Sequence, residues 1–119
     1  MKVFGLGVDI VDRERVERLT CKGSITCFIE KWLSTDERKY LETTTNKVEL
    51  FSIIFSIKEA FIKASSGHVK LKDIKKIRVV MSEGAYSVSY DDFLKNKHCW
   101  ITTNVFPNYT ISSVTIVII

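Results

Sequence analysis

Long apolar runs are missing from this 119-residue chain, although 45% of it is hydrophobic. No stretch approaches the ~20 continuous apolar residues of a membrane span, and the N-terminus lacks the basic and apolar regions of a signal peptide. The expected location is therefore cytoplasmic, with no membrane partner. Cysteines are few and odd in number. Cys21, Cys27 and Cys99 form no Cys-x-x-Cys pair, which argues against a disulfide framework and a zinc site and leaves free thiols. His68 and His98 stand alone, without metal-ligand spacing. Repeats and low-complexity segments are absent. The net charge of +4 is a modest excess, the basic residues are scattered, and no aromatic-basic strand motif of the RNA-binding type occurs. Nucleic acid is accordingly not an expected partner. A chain of this length can build one core, so residues 1–119 read as a single domain.

What is present has an α+β order. Val3 to Val11 reads as a short buried strand whose glycines let another backbone approach. Asp12 to Leu19 suits a short amphipathic helix with Arg13, Arg15 and Arg18 on a basic face, and residues 20–26 a polar turn. Phe28 to Leu33 suits another short helix, and Ser34 or Thr35 can cap the next, where Asp36 and Glu37 favour the positive helix end. The segment 43–46 breaks that helix. A long apolar helix follows from about Lys47 to Ser66, with Gly67 as its stop. The last half is strand-rich: 74–80 and 85–90 form a hairpin turning at Gly84, 91–97 is a short helix or loop, and Cys99–Val105 and Tyr109–Ile119 are strands joined around Pro107-Asn108. The end of the last strand is too apolar to be a free tail and belongs inside the sheet.

The most informative run is Phe55-Ser56-Ile57-Lys58-Glu59-Ala60-Phe61-Ile62-Lys63-Ala64. On a helix Phe51, Phe55, Glu59 and Lys63 share one stripe. Burying an unpaired charge there is costly, so Glu59 and Lys63 need partners. An intrahelical Glu-to-Lys pair is one answer. The other involves Asp9, a lone acid in the apolar N-terminal strand, which would repel Glu59 unless a cation stood between them. Two carboxylates around an open site suit Mg²⁺, a hard ion that fills its other positions with water and phosphates. Asp9 equally suits a helix N-cap, a role its neighbour Asp12 can also supply.

Gly7-Val8-Asp9-Ile10-Val11 followed by the Lys58-Glu59-Ala60-x-x-Lys63 core resembles the signature pair of the 4′-phosphopantetheinyl transferases, and the second motif is the specific one. The short chain and the early Asp are similar to the holo-acyl-carrier-protein synthase branch, as are Leu33 to Leu41, with its Ser-x-x-Glu helix opening, and Leu71 to Ile74. The resemblance implies an antiparallel sheet packed by one long helix and shorter helices. It also implies a single-half subunit that forms a homotrimer with sites shared between neighbours.

The activity so implied is Mg²⁺-dependent transfer of 4′-phosphopantetheine from coenzyme A to a serine of an apo acyl or peptidyl carrier protein, releasing 3′,5′-ADP. A non-catalytic relative that binds CoA or a carrier is the alternative. By resemblance Asp9 and Glu59 hold the metal, for which Mn²⁺ can substitute, and Glu59 is the candidate base, directly or through water. Lys63 and Lys58 meet the CoA phosphates. Arg13, Arg15 and Arg18 fall where the family docks an acidic carrier helix, with Arg15 the best positional match. A solvated face paired with Glu14 and Glu17 is the other reading of these arginines. Carriers of fatty-acid, polyketide and peptide assembly all qualify. The chain departs from the short branch at Ile54, where an Arg is usual, and at Thr103, where the second His of a His-x-Ser-x-x-His segment belongs. Val11 stands where the double-half branch places a second acid. Asp12 can substitute there through water.

Overall fold

The computed structural model describes residues 1–21 and 25–119, with side chains described outside 20–28. Its elements run β1 (Lys2–Asp12), α1 (Arg13–Cys21), α2 (Ile25–Trp32), α3 (Thr35–Thr43), α4 (Lys47–Ala64), β2 (Arg78–Ser82), β3 (Ala85–Ser89), β4 (Lys97–Val105) and β5 (Tyr109–Ile118). The chain is thus α+β. The polar turn expected over 20–26 is shorter than that, since Thr20 and Cys21 continue α1 while Ile25 and Thr26 begin α2. Its remainder, and the thiols of Cys21 and Cys27, lie outside the described residues. Cys99 is free, and burial against the core pushes its thiol up to about 11.

Local chemistry sets the helix boundaries. Ser34 caps α3 in a reciprocal box: its hydroxyl accepts from Glu37 N at 3.3 Å, and Glu37 Oε1 accepts from Ser34 N at 2.8 Å. Asn46 caps α4 by accepting from Glu49 N at 3.1 Å. The α4 helix stops at Ala64, and the chain turns away through Ser66 and Gly67, both at positive φ. Glu83 and Gly84, also at positive φ, make the two-residue β2–β3 hairpin turn. The segment Leu71–Lys76, read partly as strand, is instead a 3-10 helix. Its mixed Lys, Asp and Ile pattern alternates too weakly to separate the two.

One antiparallel sheet has the order β1-β5-β4, and β2-β3 forms a separate two-stranded sheet. The apolar β5 lies between its neighbours, as its composition required. Along β1, Gly5, Gly7, Asp9 and Val11 alternate toward α4. The approach there is close: a Cβ on Gly5 would lie 1.8 Å from Ala64 O, and one on Gly7 would lie 2.1 Å from Ala60 O. Only glycine lets these backbones meet. The other face of β1 is bare, with Leu6 at 63%, Val8 at 47% and Ile10 at 62% exposure. An irregularity between Val3 and Gly5 turns Val3 outward as well. The expectation of a buried strand therefore holds on the α4 face alone. A run of apolar residues does not reveal by itself which face a neighbour covers.

Candidate functional site

Strand alternation and helix pitch together build the site. The same side of β1 that presents Gly5 and Gly7 to α4 presents Asp9 next, beside the turn of α4 that carries Glu59 and Lys63. Lys63 Nζ donates to Asp9 Oδ1 at 3.1 Å and to Val8 O at 3.0 Å. Lys63 thus pairs across to the strand, and among the described residues its intrahelical pair with Glu59 is not formed. Glu59 is half-buried. Burial first, and the Asp9 charge second, push its carboxyl above the usual carboxylate range, while Lys63 pulls the other way.

A cleft of 340 Å³ opens over these groups, with Asp9, Asp12, Arg15 and Glu59 as its polar lining and Phe51 and Phe55 among its apolar walls. A larger cleft of 570 Å³ lies across the start of α1, between Arg13 and the Pro107–Tyr109 turn, and is lined by neither Asp9 nor Glu59. Asp12 resolves the capping alternative: its Oδ1 accepts from Glu14 N at 3.0 Å, so Asp12 opens α1 and Asp9 is released from that role. Val11 is buried in the core and offers no ligand.

Does a divalent ion fit? Among the described residues no three His, Cys, Asp or Glu side chains cluster, so the site supplies two carboxylates at most. Two oxygen donors that repel each other, beside open space, match a hard cation that keeps positions for water and phosphate. Glu59, raised first by burial and then by the Asp9 charge, is a carboxyl that a bound cation would hold ionised.

Lys58 does not join this cluster, which corrects its expected place at the phosphates. Its side chain is 0% exposed, and Nζ lies 2.6 Å from Glu37 Oε1, 2.8 Å from Trp32 O and 3.1 Å from Ile74 O. An ammonium held by three internal acceptors cannot also reach a ligand in the cleft. Burial lowers the Lys58 pKa, and Glu37 offsets part of that. Glu37, the partner that sequence reasoning saw only as a helix-opening acid, also accepts from Val79 N at 2.7 Å. Its signal was the Ser-x-x-Glu capping pattern, which places one carboxylate oxygen but not the other.

The arginines divide. Arg13 is engaged by Glu17 at 3.5 Å and Glu49 at 3.9 Å, and Arg18 lies 4.0 Å from Glu14. Arg15 is exposed at the rim of the carboxylate cleft, without an ion pair among the described residues. Ile54 is fully buried, and Thr103 bonds Ser112 at 3.0 Å, which bonds Ser56 of α4 at 2.6 Å. His98 is an exposed residue of β4 beside Trp100.

The profile of the 4′-phosphopantetheinyl transferase superfamily matches residues 5–113, and the chain belongs to that superfamily. Among curated relatives it is similar to the holo-[acyl-carrier-protein] synthase of Geobacter sulfurreducens, 36% identical over 62 residues, covering 52% of this chain and 48% of the relative. That of Natranaerobius thermophilus is 38% identical over 76 residues, covering 61% and 60%. The chain thus spans about half the length of most curated relatives it matches. Its fold is that of two solved synthases. One, from Bacillus anthracis in complex with CoA (3′,5′-ADP), has a TM-score of 0.82 at 19% identity over 98% of this chain and 97% of the other. The other, from Neisseria meningitidis, has a TM-score of 0.84 at 20% identity over 97% and 98%.

Proposed function

We propose that this protein transfers the 4′-phosphopantetheine arm of coenzyme A to a serine hydroxyl of an apo acyl carrier protein, releasing 3′,5′-ADP. The observation that carries the reading is the approach of Asp9 and Glu59 in one cleft, with Lys63 on Asp9, within a chain of this superfamily. Mg²⁺, or Mn²⁺ at the same oxygens, held by Asp9 and Glu59 would supply charge neutralisation at the CoA pyrophosphate. Glu59, which has no hydrogen bond or ion pair among the described residues, accepts the serine proton as the serine oxygen bonds to the phosphorus beside the pantetheine arm. The bond from that phosphorus to the ADP portion breaks, and Lys63 offers a counter-charge to the departing phosphate.

Arg15, with Arg18 beyond it, is the docking contact for an acidic carrier helix, while Arg13 serves mainly to fix α1 to α4. A homotrimer accords with the bare apolar face of β1 and the exposed Trp100, which a second copy would cover. No helix among the described residues is long and apolar enough to cross a membrane, which accords with the cytoplasmic reading.

Intact mass spectrometry tests the reading. A panel of apo carriers is incubated with the protein, CoA and Mg²⁺, beside an EDTA control and a carrier whose acceptor serine is alanine. A phosphopantetheine mass gain that needs both metal and serine is expected. CoA binding without a gain on any carrier would assign the chain to the non-catalytic relatives instead.

A further inference from the structure

We infer that Lys58 and Glu37 are a positioning pair that sets the direction of Glu59. The kinetic readout of this inference rests on the transfer reaction proposed above, which it extends to residues that touch no substrate. Among the described residues Glu59 has neither a hydrogen bond nor an ion pair of its own, so the helix that carries it sets where its side chain leaves the backbone, and beyond that only the charges of Asp9 and Lys63 act on the carboxylate. Consecutive residues of an α-helix are about 100° apart around the axis, and fixing Lys58 therefore fixes the heading of Glu59.

Lys58 is fixed from three segments at once: Glu37 on α3, the Trp32 carbonyl at the end of α2, and the Ile74 carbonyl of the 3-10 helix. All three ammonium donors are used. Glu37 is held in turn by Ser34 N and Val79 N, so the knot ties α4 to α3 and β2. On the other side of Glu59, Ala60 meets β1 through the gap that Gly7 leaves. A rotation of α4 that moved Glu59 would break the bonds on one side and drive the helix into backbone on the other. An apolar pair of similar volume is often as stable as a buried ion pair, but it lacks directional bonds. The contribution of this pair is consequently to registry.

The test combines Glu37→Gln with Lys58→Met in the full chain, removing both charges while keeping both volumes. The thermal midpoint is expected within about 5 °C of the parent. The Mn²⁺ dissociation constant, read from water-proton relaxation, should rise about tenfold, and kcat should fall about tenfold while KM for CoA changes less than about twofold. A folded double variant with parental kcat and Mn²⁺ affinity overturns the inference. Backbone ¹⁵N relaxation of the ligand-free parent gives a second readout that needs no variant. Order parameters near 0.85 are expected over 57–60, and values below about 0.6 that rise only on adding Mn²⁺ and CoA overturn the inference. A parent protein that neither binds Mn²⁺ nor transfers the arm refutes the proposed function instead, and the relaxation data then still decide whether the helix is held in register.

Discussion

Lys58 and Lys63 lie on the same helix and each meets one carboxylate, yet they sit in opposite environments. Lys58 is 0% exposed and its donors are saturated by internal acceptors. Lys63 has a side chain 53% exposed and reaches out to Asp9 at the edge of a cleft that also holds Glu59. Removing one member of a buried pair strands the other without water, whereas an exposed pair is replaced by solvent at little cost. A charge committed to holding elements in register is thus locked away, and a charge available to a ligand stays where water can compete for it.

The sharpest way to probe this contrast is Glu59→Gln, for which transfer should fall about a thousandfold by mass spectrometry. The same change should raise the thermal midpoint slightly at pH 7, solvent screening keeping the gain small. The folded pKa of Glu59 is raised, so the folded state holds the proton more tightly than the unfolded chain does. The ionised carboxylate therefore destabilises the fold above that raised pKa. This penalty, and the gain of the variant, vanish as the pH falls below the unfolded value near 4.5. A variant with full turnover, or one with a midpoint gain that persists in acid, would contradict the assignment.

Lys58→Ala should cost about 3–5 kcal/mol in denaturant unfolding because Glu37 is left buried and unpaired. Lys63→Ala should cost about 0–1 kcal/mol while losing most of its turnover. Equal stability losses in the two variants would erase the contrast. Gly7→Ala tests the frame that holds both lysines. Its Cβ would lie 2.1 Å from Ala60 O, and an overpacking loss of about 1–3 kcal/mol is expected, with Mn²⁺ affinity falling too. The smallest effect is on docking. Arg15→Glu should raise KM for the carrier about tenfold at low salt, with KM for CoA nearly unchanged, and the gap should narrow as salt rises. An unchanged carrier dependence would remove Arg15 from the docking surface.

Much of this was legible in residue order. The glycine-spaced strand, the Ser34 cap, the Asn46 break, the Gly84 hairpin and the apolar last strand each carry a local signal, and each appears where that signal pointed. The pairing of Asp9 with Glu59 was expected from the resemblance of the two motifs to the family, because alternation along β1 and pitch along α4 fix a face on each element but not which elements meet. What stayed hidden depended on partners distant in sequence. Nothing local to Lys58 says that Glu37 waits on the next layer. Nothing in Leu6, Val8 and Ile10 tells that the sheet ends at β1, and Leu71–Lys76 takes its form from α4 packing beneath it.

The register of β1 against β5, pairing Lys2 with Ile118 and Asp9 with Ser112, also fixes when the site can come into being. The Asp9 strand and its hydrogen-bonding neighbour around Ser112 lie far apart along the chain, and until β5 arrives β1 has no strand to pair with. Contacts this distant along the chain close slowly, because loop entropy must be overcome before any bond rewards the closure. Asp9 and Glu59 therefore meet late in folding, and ion-binding capacity should emerge in the same kinetic phase as the final sheet signal.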